Sequence, residues 1–416
     1  RCAVVGRSSK GKLTLSTKGY TLFVLSLVYH DTQPARRRVE NQLLAIHITM
    51  SVTSPSIATT EIDALPESSK GVVDVGWASK TFGFDVESAT FSSEDSLTGG
   101  MVGLMRVLTV KGTQPNTQPN TQPNTNTGTN DGDDAKEGRR VMERTFIVKK
   151  GPQPSPVPGL AREACFYNEM GSAPALQGLI PKCFYAKSDM ATGRKILVLE
   201  DLSRGTVSGQ LLGTSHPHTW TKRSEVETKT KAGPGANAVI TSTFEATAQL
   251  HANYWKSEEV QALSWVLGRR NPTAGDKGKW ETMTAYSHGL WQKSRGGVEG
   301  LSWSPEFGAI MDTSMAKLSW EDLVETKKTT VFTLVQGDFH PFNVMWVDDH
   351  AVLFDWEMVS AGSPGQELGQ YMMNIEVGLR RLLEQSLVTS YHTKLINCGV
   401  AADECTMDAL WQEYVF

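Results

Sequence analysis

The chain is short of cysteine in any useful arrangement. Its five cysteines are Cys2, Cys165, Cys183, Cys398 and Cys405, scattered and odd in number, with no CxxC pair among them. That excludes a zinc-ribbon site and a disulfide framework, and it fits a reducing, cytoplasmic compartment. Long apolar runs are missing as well. The strongest near the start, TLFVLSLVY at 21–29, is far below the roughly 20 residues that a membrane-spanning helix needs. Its flanks are basic, with Lys10, Lys12 and Lys18 before it and Arg36, Arg37 and Arg38 after it. An organelle-targeting N-terminus is the alternative to a cytoplasmic location. Nor is there an excess of positive charge: 41 Lys and Arg stand against 45 Asp and Glu. Nucleic-acid binding usually leaves a basic footprint, so it is not expected.

What the chain does have is enough length for two lobes. With 416 residues, 39% hydrophobic and 21% charged, it can bury a sizeable core. Residues 1–60 read as an N-terminal extension, and Met50 offers an alternative start. Residues 61–203 read as a strand-rich lobe, with strand-like patches at Val72–Trp77, Phe82–Phe91, Met105–Val110, Arg144–Lys149 and Ile196–Leu199 and one helix near 161–170. Inside it, residues 112–140 carry a QPNT repeat with almost nothing apolar to bury, and a disordered surface insertion is expected there. Residues 204–416 read as mostly helical, for example over Ala238–Trp255 and Gly369–His392, broken by strand-like stretches at 331–335 and 344–354. A β-rich first half followed by a helical second half is an α+β class with segregated lobes.

The chemistry concentrates at VQGDFHPFNVMW, 335–346, followed by LFDWE, 353–357. Asp338, Asn343 and Asp355 sit among strand-like apolar residues, where carboxylates are costly unless a positive partner is present. A hairpin over Val344–Val347, Asp348–Asp349–His350 and Ala351–Phe354 would bring Asn343 and Asp355 together. Asn and Asp oxygens are hard ligands suited to Mg²⁺ beside phosphates. Asp338, five residues before Asn343, is placed to accept the proton of an attacking hydroxyl. The D-x-x-x-x-N spacing followed by an Asp is that of a phosphotransfer loop and its metal aspartate. Taken singly, the three residues read as a turn cap, a satisfied loop amide and a second turn. Their joint spacing favours chemistry.

These motifs, with LFDWEMVSAGSPGQELG, resemble those of the aminoglycoside phosphotransferase and choline kinase-like superfamily, nearest to its ecdysteroid kinase-like (CHK) branch, over about residues 90–416. The resemblance implies a protein-kinase-like two-lobed fold, ATP and Mg²⁺ as cofactors, and a small-molecule hydroxyl acceptor. It implies a phosphate-covering turn at LTGGMVGLMRVLTV with Gly99, Gly100 and Gly103, although a plain hairpin turn would read the same. In FIVKK it implies a phosphate-binding Lys149, with Lys150 left open, and a pairing glutamate at Glu163, with Glu169 as second choice. VLEDL, holding Glu200 and Leu202, resembles the adenine-binding hinge, or is simply a buried edge strand. TAQLHANYW resembles an L-H-A-x-x-W helix in which His251 and Trp255 pack. His340 reads as loop packing. The chain departs from the superfamily at Gln336, where histidine is commoner, and at Glu367, where aspartate is commoner in the residue that braces the loop. It also stops at Phe416, short of the last helices expected of such proteins. The absence of a protein-kinase substrate loop after Asp355 argues against a protein substrate. The tryptophans of the second half are core, or in part the lining of an acceptor pocket. The rival expectation is a catalytically inactive, pseudokinase-like binding protein.

Overall fold

A computed structural model describes residues 65, 72–92, 104–115, 139–151, 158–212, 235–297 and 302–415. The expectations for residues 1–60, and for Gly99, Gly100 and Gly103, lie outside the described residues. The chain divides into two compact units that meet in sequence at Arg204 and Gly205. The class is α+β, with strands dominating the first unit and helices the second.

The first unit is built on an antiparallel sheet of five strands in the order β1-β2-β3-β5-β4. Its strands are β1 (Asp85–Phe91), β2 (Leu104–Pro115), β3 (Arg139–Lys150), β4 (Cys183–Asp189) and β5 (Arg194–Glu200). The patch Val72–Trp77 is not a strand beyond the bridge of Val72 to Thr90. It turns into helix α1 (Val75–Phe82), because Asp74 accepts the Trp77 N–H at 2.7 Å and Gly83 closes the helix in the left-handed region at φ 76°. This Asp cap and Gly stop outweigh the β-propensity of the valines. Ala78 and Phe82 recur at helical spacing and are buried, with Phe82 stacked on Phe146 at 4.1 Å between ring centroids.

Of the 112–140 segment expected to be an insertion, residues 112–115 and 139–140 are strand, and residues 116–138 lie outside the described residues. β2 and β3 pair without a break from Leu104↔Lys150 to Pro115↔Arg139. Lys111 and Glu143 form an exposed ion pair at 3.2 Å, and Arg139 reaches Asp85. Strand pairing satisfies the backbone of these Thr, Gln and Arg residues whatever their side chains, with β1 flanking β2 as far as Asp85↔Thr113. Gly112 is required here, since a Cβ on it would lie 2.0 Å from the Asp85 carbonyl oxygen.

Alternation gives this sheet two faces. One carries Leu108, Val110, Phe146, Val148, Ile196 and Val198 into the core under α1. The other carries Lys149, Lys195 and Leu197, toward helix α2 (Arg162–Glu169), which is buried along Arg162, Glu163, Ala164, Phe166 and Tyr167.

In the second unit, α3 (Ala236–Asn253), α4 (Ala274–Ser294), α5 (Pro305–Ala316) and α6 (Trp320–Thr329) precede the strand segment. Among the described residues five helix starts carry a Ser or Thr cap. Thr273 and Asp276 form a full capping box, and Ser257, Ser304, Ser319 and, later, Ser363 each accept a backbone N–H three residues on. Strands β7 (Thr333–Val335) and β10 (Ser360–Gly362) pair, and β6 (Thr206–Val207), β8 (Val344–Val347) and β9 (His350–Leu353) form a small sheet. The expected helix over Gly369–His392 is two helices, α7 (Pro364–Met373) and α8 (Val377–Asn397). Glu376 ends the continuity by capping the second, accepting the Leu379 N–H at 3.0 Å. Helix α9 (Met407–Val415) lies against α7, where Gly365 and Gly369 admit the backbone of Tyr414.

Phe146 is 2% exposed and stacks on Phe82. Truncating a buried aromatic costs about 3–5 kcal/mol, so Phe146→Ala should lower the urea midpoint markedly. A midpoint equal to wild type would remove the Phe82–Phe146 stack from the list of contacts that stabilise this unit.

Candidate active site

The strands β8 and β9 join through Asp348 and Asp349, both in the left-handed region at φ 48° and 61°. That is the signature of a two-residue hairpin turn whose twist suits the strands, and Asp tolerates it better than most residues. The register pairs Val344 with Leu353. One step out, Phe354 N–H donates to the Asn343 carbonyl at 3.0 Å. The hairpin therefore sets Asn343 and Asp355 at the same end. Asp355 itself is left-handed, at φ 64°.

The loop feeding the hairpin is tied down at several residues. Gln336 is 1% exposed, and its Nε2 donates to the carbonyls of Phe354 and Asn343. It thus links the loop to both residues that end the hairpin. Gly337 adopts φ 82°, and a Cβ on it would lie 2.0 Å from the Met358 carbonyl oxygen. Its N–H donates to Glu367 Oε1 at 3.0 Å. The other oxygen of Glu367 lies 2.7 Å from His251 Nε2, and His251 Nδ1 lies 2.7 Å from the Tyr391 hydroxyl. A carboxylate only accepts, so Nε2 carries the proton to Glu367 and Nδ1 accepts from Tyr391. His251 is fully buried on α3, as the packing expectation had it. Trp255 does not share a helix face with it, because α3 ends at Asn253.

Within the loop, Asn343 is 6% exposed. Its Nδ2 donates to the Asp338 carbonyl at 2.9 Å and to Asp338 Oδ2 at 3.4 Å. That fixes the amide and turns its Oδ1 away from Asp338. Pro341–Asn343 forms a single 3₁₀ turn whose cap is His340, with Nδ1 accepting the Phe342 N–H at 3.2 Å. His340 also lies with Nε2 3.6 Å from Asp338 Oδ2. It is therefore more than loop packing, since it faces the carboxylate proposed as base. The structure places Asp338, Asn343 and Asp355 in one turn-and-hairpin assembly. Asn343 Oδ1 and the Asp355 carboxylate are both hard oxygens, of the kind that suits Mg²⁺ rather than a soft metal.

In the first unit, Lys149 Nζ lies 2.9 Å from Glu163 Oε2. Lys150 is on the opposite face of β3 by alternation, and Glu169 is exposed at the end of α2. A residue that sequence reasoning missed is Lys195. It is 1% exposed and lies 2.5 Å from the same Glu163 oxygen. Lys195 and Leu197 share a face of β5, and Leu197 pairs with Lys149, so it is the β3–β5 register that brings the second lysine to Glu163. Burial is the largest influence on Glu163 and pushes its pKa up, but the charges of Lys149 and Lys195 and their hydrogen bonds overcome it and hold the carboxyl at about 2. At the expected hinge, the Glu200 N–H is used by the Lys182 carbonyl at 2.8 Å, and its side chain meets Arg204 at 3.4 Å. Leu202 is buried.

Residues 312–397 match the profile described as the phosphotransferase enzyme family, APH. The matched segment holds Asp338, Asn343, Asp355 and Glu367, and there the chain carries the superfamily resemblance read from its motifs. Nothing in the comparisons singles out the ecdysteroid kinase-like branch. A search of curated proteins found none that matches the chain. Solved structures similar to it include a choline kinase from Cryptosporidium parvum Iowa II, with 9% identity, TM-score 0.41 and coverage of 79% of this chain and 80% of that one. A Plasmodium vivax ethanolamine kinase shows 11% identity and TM-score 0.38, covering 78% and 71%. An aminoglycoside-3'-phosphotransferase of type VIII shows 13% identity and TM-score 0.36, covering 78% and 93%.

The lowered pKa of Glu163 has a consequence for acid stability. A carboxyl whose pKa is depressed on folding contributes stability above its ordinary value of 4.5 and loses it as pH falls toward about 2. The span corresponds to about 3 kcal/mol. Urea unfolding of Glu163→Gln should show a deficit of that order at pH 6 that narrows between pH 4.5 and 2. A deficit independent of pH would show that Glu163 is not ionised in the fold.

Proposed function

We propose that the chain is an ATP- and Mg²⁺-dependent phosphotransferase that phosphorylates the hydroxyl of a small molecule, within the ecdysteroid kinase-like branch of its superfamily. The observation that carries this reading is the Asp338–Asn343–Asp355 assembly inside the segment that matches the phosphotransferase family. In the proposed reaction the acceptor oxygen bonds to the γ-phosphorus as the bond to the bridging β–γ oxygen breaks, and Asp338 receives the hydroxyl proton. Asp338 is suited to this because its side chain is about half exposed while Asn343 and His340 fix its orientation. Asn343 and Asp355 would hold Mg²⁺, which when bound supplies charge neutralisation on the phosphates. Lys149, held by Glu163, is the phosphate-binding residue of the first unit, and the backbone around Glu200 and Leu202 its adenine contact. Little covalent chemistry is asked of the side chains. Their contribution is placement and electrostatics.

The inactive-binder reading was motivated by Gln336 and Glu367. Both make the bonds that hold the loop, so neither departure removes a needed contact. Among the described residues no helix is long and apolar enough to cross a membrane. The four described cysteines are free thiols, which supports a cytoplasmic location for the proposed enzyme.

With a panel of hydroxyl acceptors and ATP, Asp338→Ala should lose on the order of 10²–10⁴-fold in turnover, the usual contribution of a positioned base, while keeping nucleotide affinity. Turnover equal to wild type would sink the assignment of Asp338. Calorimetry with a non-hydrolysable ATP analogue tests the metal ligands. Asp355→Gly is the suitable variant because glycine accepts the left-handed φ of this position and offers no side-chain oxygen. It should abolish the Mg²⁺-dependent part of binding. Mg²⁺-dependence that survives in Asp355→Gly would move the metal elsewhere.

A further inference from the structure

Glu163 is held by two lysines from neighbouring strands, and the two are not equivalent. Lys149 on β3 stands opposite Leu197 on β5, and Lys195 lies two residues back on the same face. Both ammonium groups therefore reach one oxygen of Glu163 from diagonal positions. Lys195 is nearer, at 2.5 Å against 2.9 Å, and its side chain is 1% exposed against 10% for Lys149. The Gly151 N–H donates to the Lys195 carbonyl at 3.2 Å, fastening β5 where Lys195 stands.

Consider Lys149 binding a phosphate. If it were the sole partner of Glu163, turning toward the anion would leave a fully buried carboxylate unpaired, a change that is strongly unfavourable in a desolvated site. The phosphate would then have to compete with Glu163 for one ammonium group. A second lysine on the same oxygen removes that competition. We propose that Lys195 is the permanent partner of Glu163 and acts as a positioning residue, keeping the carboxylate paired so that Lys149 can exchange between Glu163 and a polyphosphate. This rests on the nucleotide reading above, but only on its phosphate-binding part. Lys195 touches neither substrate nor reacting atoms in this role. Its effect is carried entirely through Glu163 and Lys149.

The test reads binding rather than turnover, with inorganic tripolyphosphate and a non-hydrolysable ATP analogue titrated calorimetrically into the full chain. Lys195→Met keeps the apolar stem and removes the charge. Its affinity for both probes should fall on the order of tenfold or more, a size typical of coupled neighbours. The double variant Glu163→Gln/Lys195→Met should regain much of that loss, because a neutral amide no longer holds Lys149. A structural defect would instead leave the double variant as weak as Lys195→Met or weaker, and that result overturns the proposal, as does unchanged affinity in Lys195→Met. Should Lys195→Met fail to fold, the lysine ammonium signals of wild type, followed by NMR during the tripolyphosphate titration, decide the matter. Lys149 should shift while Lys195 stays; movement of both, or of Lys195 alone, refutes it. No binding by wild type overturns both this inference and the phosphate role of Lys149. A wild type that binds tripolyphosphate with the expected pattern yet transfers nothing leaves this inference standing and overturns the phosphotransferase reading alone.

Discussion

The carboxylate of Glu367 holds the second unit's chemistry in place. One oxygen takes the Gly337 N–H in the loop and the other meets His251 on α3, which in turn meets Tyr391 on α8. Three helices thereby converge on the backbone one residue before Asp338. Low local dielectric makes such a fully paired buried network strong, and makes any broken member costly. The His251 tautomer follows from the same contacts, since the carboxylate can only accept. Thr333 Oγ1 donates to the His251 carbonyl at 2.8 Å, so β7, which leads into the loop, is fastened to α3 as well. Because these ties run through side chains far apart in sequence, they position the loop without requiring any regular structure within it.

Gly337 explains why this arrangement needs a glycine where it does. A left-handed φ is available to several residues at modest cost, but a Cβ lodged against the Met358 carbonyl is not. Gln336 then performs on the hairpin side what Glu367 performs on the helix side, donating to the carbonyls of Asn343 and Phe354. Loop and hairpin form one hydrogen-bonded piece, and the left-handed Asp355 is the residue at which the chain leaves it. A strained backbone of this kind persists when the surroundings over-determine it, and here the β8–β9 register and Gln336 both do so.

The loop and hairpin were legible in sequence because local chemistry dictates them. The Asp348–Asp349 turn between two short apolar runs and the D-x-x-x-x-N spacing both act over a few residues. The misreadings arose where one local rule overrode another. At Val72–Trp77 the valines suggested a strand, yet Asp74 and Gly83 bracket a helix. At Gly369–His392 the helical periodicity ran on through Glu376, which is a cap. At the edges of the 112–140 segment, residues 112–115 and 139–140 are strand despite their polar side chains, because a strand needs only partners for its backbone.

Lys195 failed to register for a different reason, and it is the more instructive one. A lysine at the start of a strand reads as solvated, since charged residues are almost never fully buried unless paired. Its partner lies 32 residues away on a helix, and only the β3–β5 register puts the two lysines on one face. Glu163 was reachable only through the resemblance, which implies one helix glutamate paired with one strand lysine. A second lysine on the same oxygen has no local signature. It becomes visible only when the sheet is aligned, which places two ammonium groups on a buried carboxyl whose pKa they lower against the effect of its burial.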